Sequence, residues 1–387
     1  MADGLRSINN ADAKQRAVVT DATVDSLLAL NATVCVGVSG GKDSQAVAIA
    51  VAQHLDAIGH QGARVLVHAD LGRVEWRDSM AVCQRLAEHL GWELIVVRRP
   101  AGDMMDRWES RWVSRSQAYI NLETVKLTLP WATPGMRFCT SEMKVDPISR
   151  ALRKRFPTGP ILSVDGVRAQ ESPARAKKTI SSAAKKLTRK EHAGVNWHAI
   201  LPWSVEEVFG GIDASGLAPH VAYRGHGSSR VSCSMCIMGS LPDLTIAANL
   251  DEHLDTYRML VDLECRSTFA FQGSRWLGDV APHRLTADLR DRLARAKAQA
   301  VERRNLEAMI PVELLFDKEG WPSFVPDVRQ ASLLAHVRRR VGEVVGLPMR
   351  FTDAEAIRDR YQELLDLRIA KEAKKAAKKK AEKRGKS

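Results

Sequence analysis

The residues with the clearest chemical meaning are Ser39-Gly40-Gly41-Lys42-Asp43-Ser44. Adjacent glycines let the backbone turn sharply and approach a ligand with no Cβ in the way. The N–H groups from Lys42 to Ser44 open an apolar helical pattern, and helix N-termini attract anions. Ser39 and Ser44 supply hydroxyls and Lys42 a cation, which together suit a pyrophosphate. Asp43 would repel that group, so it is expected to cap the helix or help hold Mg²⁺. The spacing is not G-x-x-x-x-G-K-[ST], so this is a shorter device than a Walker A loop. A second chemical signal is Cys233-Ser234-Met235-Cys236 in a Gly- and Ser-rich stretch, 219–240. Those two thiols could hold iron–sulfur or zinc, or work as a redox pair.

The elements around the loop must deliver it to a ligand. Thr33–Val38 (TVCVGV) is a short apolar run of the kind buried in parallel sheets. An apolar helix from about 45 to 58 follows it. Arg64–Ala69 and Glu93–Val97 read as further strands and 77–90 as a helix. This βαβαβ alternation predicts an α/β fold, an open and mostly parallel twisted sheet with helices on both faces. Such sheets bind ligands at the carboxyl ends of their strands. Ile161–Val164 reads as a fourth strand running into Asp165-Gly166, and His198–Leu201 as a short fifth. Residues 11–32, 103–127 and 142–155 read as helices, with Trp108 and Trp112 as core anchors.

From residue 284 the pattern turns helical and charged: 284–309, 328–345 and 353–380. The expected organisation is a nucleotide-binding domain over 1–282, a helical region over 283–370 and a basic tail over 371–387. The formal net charge is +12, but the tail alone holds eight Lys and one Arg against two Glu. The stretch Arg175–Glu191 adds seven Lys or Arg against one Glu. The basicity is therefore local, and the tail is the segment suited to weak phosphate contact with nucleic acid. No stretch approaches the ~20 consecutive apolar residues of a membrane span, and the first residues lack the apolar core of a secretory signal. A cytoplasmic protein with unpaired thiols is the expectation.

The loop resembles that of the PP-loop ATP-pyrophosphatase superfamily. Further segments resemble its phosphoadenylyl-sulfate (PAPS) reductase-like branch, in the branch's order. They are His68-Ala69-Asp70-Leu71-Gly72, Arg137-Phe138-Cys139-Thr140 with Lys144 and Pro147, Gly166 to Arg175, and Pro202 to Phe209. The branch includes PAPS and adenylyl-sulfate reductases, the ATP sulfurylase small subunit and the DNA-phosphorothioation sulfurtransferase. The resemblance implies ATP or PAPS as ligand, with Mg²⁺. Gly40, Gly41, Ser39, Lys42, Asp43 and Ser44 would hold the pyrophosphate, with Lys42, Asp43 and Asp70 catalytic. Arg168, Glu171, Ser172 and Arg175 would hold a second anionic group, Arg168 and Arg175 by bidentate contacts. Asp70 belongs to the substrate-side or metal-side turn.

In iron–sulfur members of the branch an upstream cysteine and the C-x-x-C pair converge on one [4Fe-4S] cluster. Cys139, Cys233 and Cys236 match, and Cys265 is the one downstream candidate for a fourth thiolate. Cys35 and Cys83 read as small buried hydrophobes. The S-G-G-K-D-S form points to adenylyl or sulfur transfer with pyrophosphate release, served by a sulfur donor or redox partner protein. The alternatives are a thiol-dependent PAPS or adenylyl-sulfate reductase, whose C-terminal E-C-G-[IL]-H motif is missing here, and a nucleotide-sensing, DNA-associated module.

Overall fold

The computed structural model describes the backbone of residues 17–384 and the side chains of residues 17–377. The expected helix over 11–32 begins outside the described residues and is shorter than read, Ala22–Ala29, capped by Asp21, whose Oδ1 accepts from the Val24 N–H at 3.0 Å. Upstream of it the chain is held extended: Val19 N–H donates to the Ala199 carbonyl at 2.9 Å, and Trp197 Nε1 donates to the Val19 carbonyl at 2.8 Å.

Six strands form one sheet: β1 (Thr33–Val38), β2 (Arg64–Asp70), β3 (Glu93–Arg98), β4 (Ile161–Val164), β5 (Ser181–Ala183) and β6 (Gly194–Trp197). Their order is β3-β2-β1-β4-β6-β5, parallel throughout except for β5, which runs antiparallel along the edge. This is the mostly parallel α/β sheet that the strand–helix alternation predicts. The fifth strand lies four residues earlier than read. Gly194–Trp197 pairs with Ile161–Val164, while Leu201 N–H turns back onto the His198 carbonyl at 3.1 Å. β5 falls in the basic stretch, whose Ser, Lys and Ala give no strand periodicity.

Alternate residues face opposite cores. Val34, Val36, Leu66, Leu162 and Val164 pack under the helix Lys42–Ala57, with Val208 and Ile212 of the helix Val205–Ala214. Cys35, Val65 and Ile161 face the other way, against Ile148 and Leu152 of the helix Asp146–Arg155. Both faces of a parallel sheet are thus covered, as its unbroken apolar strands require.

The chain separates into two compact units, residues 1–105 with 134–254 and residues 106–133 with 255–387. The sequence suggests one boundary near 282 instead. Segment 106–133 joins the second unit because its carbonyls and side chains are taken there. The buried Arg338 guanidinium donates to the carbonyls of Tyr119 and Ile120, both at 3.0 Å. Glu307 Oε1 accepts the Leu127 N–H at 2.8 Å. Trp108 is buried, as expected of an anchor, and packs edge-on against Trp131 and Phe271; Trp112 is buried too. This unit is helical, with the long helices Ala287–Ala308, Val328–Val345 and Ala354–Arg384. No helix among the described residues is long and apolar enough to cross a membrane.

Candidate functional site

The strand order reverses direction between β1 and β4, and a crevice opens at their carboxyl ends. A cavity of about 1260 Å³ occupies it. On one side lies the turn from β1 into the helix Lys42–Ala57. Gly40 sits at φ +73°, and a Cβ there would come within 2.8 Å of Ser79 Cα. On the other side Gly166, just after β4, lies so close that its Cβ would be 2.6 Å from the Asp43 carbonyl. A side chain at Gly166 would push the two walls apart, and one at Gly40 would push the turn off Ser79.

Within the turn Ser44 Oγ donates to the Gly41 carbonyl at 2.8 Å and accepts from the Ser39 N–H at 3.2 Å. Lys42 N–H donates to Tyr223 Oη at 3.0 Å. The expectation that this amide and the Ser44 hydroxyl point at an anion therefore does not match the structure, where both are engaged within the protein. Lys42 is buried at 6% exposure and its ammonium is 3.0 Å from Asp43 Oδ2, yet the residue lines the cavity. A cation in the first turn of a helix opposes the helix dipole. An anion arriving in the cavity would reverse that penalty.

The other expected residues have more local roles than read from sequence. Gly41 is the N-cap of its helix, so Asp43 does not cap it. Asp43 instead bridges Lys42 and Arg168, accepting from Arg168 Nε at 2.6 Å. The Arg168 Nη1 donates to Gln170 Oε1 at 2.9 Å and to the Trp203 carbonyl at 3.3 Å. Arg168 is 3% exposed and braces the wall behind the glycine turn. Glu171 accepts the Arg168 N–H at 2.9 Å and pairs with Arg175, while Ser172 Oγ accepts the Arg175 N–H at 3.2 Å. Arg175 and Glu171 do line the cavity. Asp70 does not: its Oδ1 accepts the Gly72 N–H at 2.7 Å and its Oδ2 accepts from Arg98 Nε at 2.6 Å. Asp70 shapes the turn after β2.

The lining carries seven cationic side chains, Lys42, Arg137, Lys144, Arg168, Arg175, Arg224 and Arg230, against four carboxylates, Asp43, Asp165, Glu171 and Glu206. That surplus draws anionic ligands.

The sequence assigned no role to three residues. Tyr223 closes the loop. Asp165, at the end of β4, accepts from His198 Nδ1 at 2.7 Å. Asp243 gathers the 228–240 segment, accepting from Ser228 Oγ (3.0 Å), Ser229 N–H (2.7 Å) and Ser240 Oγ (2.7 Å). Burial opposes the Asp243 charge, but these donors outweigh it and hold the carboxyl below its usual range. The 219–240 stretch is thus a pinned wall.

A family model described as the phosphoadenosine phosphosulfate reductase domain matches residues 33–238, just over half of the chain. The chain belongs to the phosphoadenosine phosphosulfate reductase domain family. A 37.8 kDa protein of Escherichia phage 186, described as an uncharacterized protein in the gpa 5′ region, is 30% identical over 234 residues. The match covers 52% of this chain and 66% of the phage protein, so the chain spans slightly under two thirds of that relative's length. A crystal structure of PAPS reductase from Candida auris, in a phosphate complex, is similar with a TM-score of 0.33 and 12% identity. It covers 52% of this chain and 81% of that one.

The PAPS reductase domain match ends just past the C-x-x-C pair. Cys233 forms an antiparallel bridge with Glu75, and Ser234 N–H donates to the Val74 carbonyl at 2.7 Å, so the pair docks on the turn after β2. Burial pushes the Cys233 thiol up to about 12, with Cys236 adding to the rise, Lys144 opposing it and Cys139 near enough to contribute. Cys265 lies in the second unit on the helix Leu254–Ser267, where burial pushes its thiol up to about 11. Among the described residues no group of three or more His, Cys, Asp or Glu is arranged to hold a metal ion. Of the four candidate thiols, Cys139, Cys233 and Cys236 lie in the first unit and Cys265 in the second. Asp43 and Asp70, both committed to arginines, do not fit a protein-held Mg²⁺.

Proposed function

We propose that this PAPS reductase family domain binds ATP or a related adenylyl nucleotide in the β1–β4 cavity and catalyses adenylyl or sulfur transfer with release of pyrophosphate. The observation that carries the reading is Lys42, a buried cation in the first turn of a helix whose N-terminus faces a basic cavity at the sheet's switch point. An acceptor nucleophile attacks the α-phosphorus, the bond from that phosphorus to the bridging oxygen breaks, and pyrophosphate leaves with the electron pair. Lys42 meets the charge that develops on the leaving group, and Arg175 lies along the same cavity. Arg168 pairs with Asp43 and offsets its charge beside the phosphates. Mg²⁺ entering with the nucleotide would neutralise phosphate charge. The nucleotide supplies the adenylyl group; in sulfur transfer a sulfur donor would supply the sulfur that then displaces AMP from the adenylated acceptor.

A second reading is thiol-dependent reduction of PAPS or adenylyl sulfate, favoured by the description of the matching family. Against it stands Cys265, the thiol nearest in sequence to the reductase motif. With its thiol raised to about 11 by burial it carries little thiolate at neutral pH.

Calorimetric titration of anaerobically purified protein with Mg-ATP and with PAPS tests the choice, with Lys42→Ala as control. Tight ATP binding that depends on Lys42, with weak PAPS binding, supports transfer. Preferential PAPS binding overturns it in favour of reduction.

A further inference from the structure

Tyr223 has an unusual hydrogen-bond inventory. Its phenol oxygen accepts two backbone N–H groups, Lys42 at 3.0 Å and Val231 at 3.2 Å. A phenol has one hydrogen and two acceptor positions. With both acceptor positions filled, its hydrogen is left to donate. Among the described residues no bond donated by that hydroxyl is formed. The oxygen lies at the glycine turn, since a Cβ on Gly41 would stand 3.4 Å from it and 3.6 Å from Ser39 Oγ. Tyr223 lines the cavity, and its ring is held edge-on by Phe209, with Lys42 Nζ 5.2 Å from the ring centre.

We propose that Tyr223 is a hydrogen-bond donor to phosphate in this site: its O–H bonds an oxygen of the phosphate seated on the Ser39–Ser44 turn, while its oxygen accepts from the amides of Lys42 and Val231. The inference rests on the pyrophosphate reading above and names the donor that replaces the Lys42 amide. It also makes one side chain the joint between the glycine turn and the wall leading to Cys233. The charged groups facing the phenol are Lys42, Asp43 and Arg230. Burial raises the phenol to about 12, so it keeps its proton throughout the neutral range.

The test is calorimetry with inorganic pyrophosphate on the full chain. Tyr223→Phe is expected to weaken binding about tenfold or more, the cost of losing a hydrogen bond to a charged acceptor. Because that change also releases two amides, a second variant carries a fluorinated tyrosine at 223. Its phenolate still accepts both amides but has no proton to give. Relative to wild type at each pH, its affinity is expected to fall as the fluorinated phenol ionises. Affinity that follows wild type through that titration would overturn the proposal, as would a Phe variant that binds like wild type. If wild type itself shows no Lys42-dependent pyrophosphate binding, the underlying nucleotide reading fails and this proposal with it.

Discussion

Arg168 Nε stands 2.6 Å from Asp43 Oδ1, joining the loop after β4 to the first helical turn after β1 across 125 residues of sequence. The guanidinium is 3% exposed and the carboxylate 22%. Neither group is free to serve a ligand without leaving the other uncompensated, so the pair is a brace for the cavity wall.

Removing Asp43 leaves the buried Arg168 guanidinium without a counter-charge. Asp43→Ala is expected to cost roughly 3 kcal/mol of stability, read from the urea midpoint by circular dichroism. The double change Asp43→Leu with Arg168→Met should recover much of that loss. If Asp43→Ala costs less than ~1 kcal/mol, the range of an exposed pair, the brace is not structural.

Histidines set opposite pH limits within the first unit. Burial lowers His220 and His253 to about 4, with neighbouring charges modulating both. The unfolded chain then binds more protons than the folded one between about 4 and the ordinary histidine value, so this contribution is present above ~6.5 and lost as pH falls toward 4. His68 behaves oppositely. Burial opposes its charge, but Cys83 and Glu75 outweigh it and raise it to about 10. Both ring nitrogens have acceptors: the Val38 carbonyl at 3.0 Å and Glu75 Oε2 at 3.1 Å. Its contribution is full below ~6.5 and lost as pH rises toward 10. Thermal unfolding should therefore peak near neutrality, and His68→Gln should flatten the alkaline limb alone. An unchanged alkaline limb in that variant would contradict the assignment.

Thiol reactivity should follow burial. Cys35 and Cys233 are both raised to about 12 and Cys265 to about 11. At neutral pH all three should react with iodoacetamide far more slowly in the folded protein than in urea, as mass spectrometry of the labelled peptides would show. Rapid labelling of folded Cys265 would return the reductase reading to the front.

The basic tail should act separately from the cavity. Deleting residues 371–387 removes eight Lys and one Arg against two Glu. Any DNA affinity should fall, and its salt dependence should flatten by about 0.9 in logarithmic slope for each DNA phosphate the tail no longer neutralises. Pyrophosphate binding should be unaffected. A shared loss of both would tie the tail to the nucleotide site.

Sequence alone located the glycine turn and the four neighbouring parallel strands β3, β2, β1 and β4. It also marked the helical character of the C-terminal residues. These are local properties: strands of unbroken apolar residues, helices of periodic ones, and a Gly-Gly turn between them. The ordered motifs carried the family as well. Tertiary structure decided what the chemically suggestive residues do. Asp43, Asp70 and Arg168 look like ligands by type, but their partners, Arg168, Arg98 and Asp43, lie 28 to 125 positions away. Tyr223 meets Lys42 across 181 positions, a relationship no pattern of neighbours encodes. Segment 106–133 reads as part of the first domain, yet Arg338 and Glu307 claim it for the second unit. Hydrogen bonds and ion pairs depend on distance in space, and only the folded chain sets which of these groups meet.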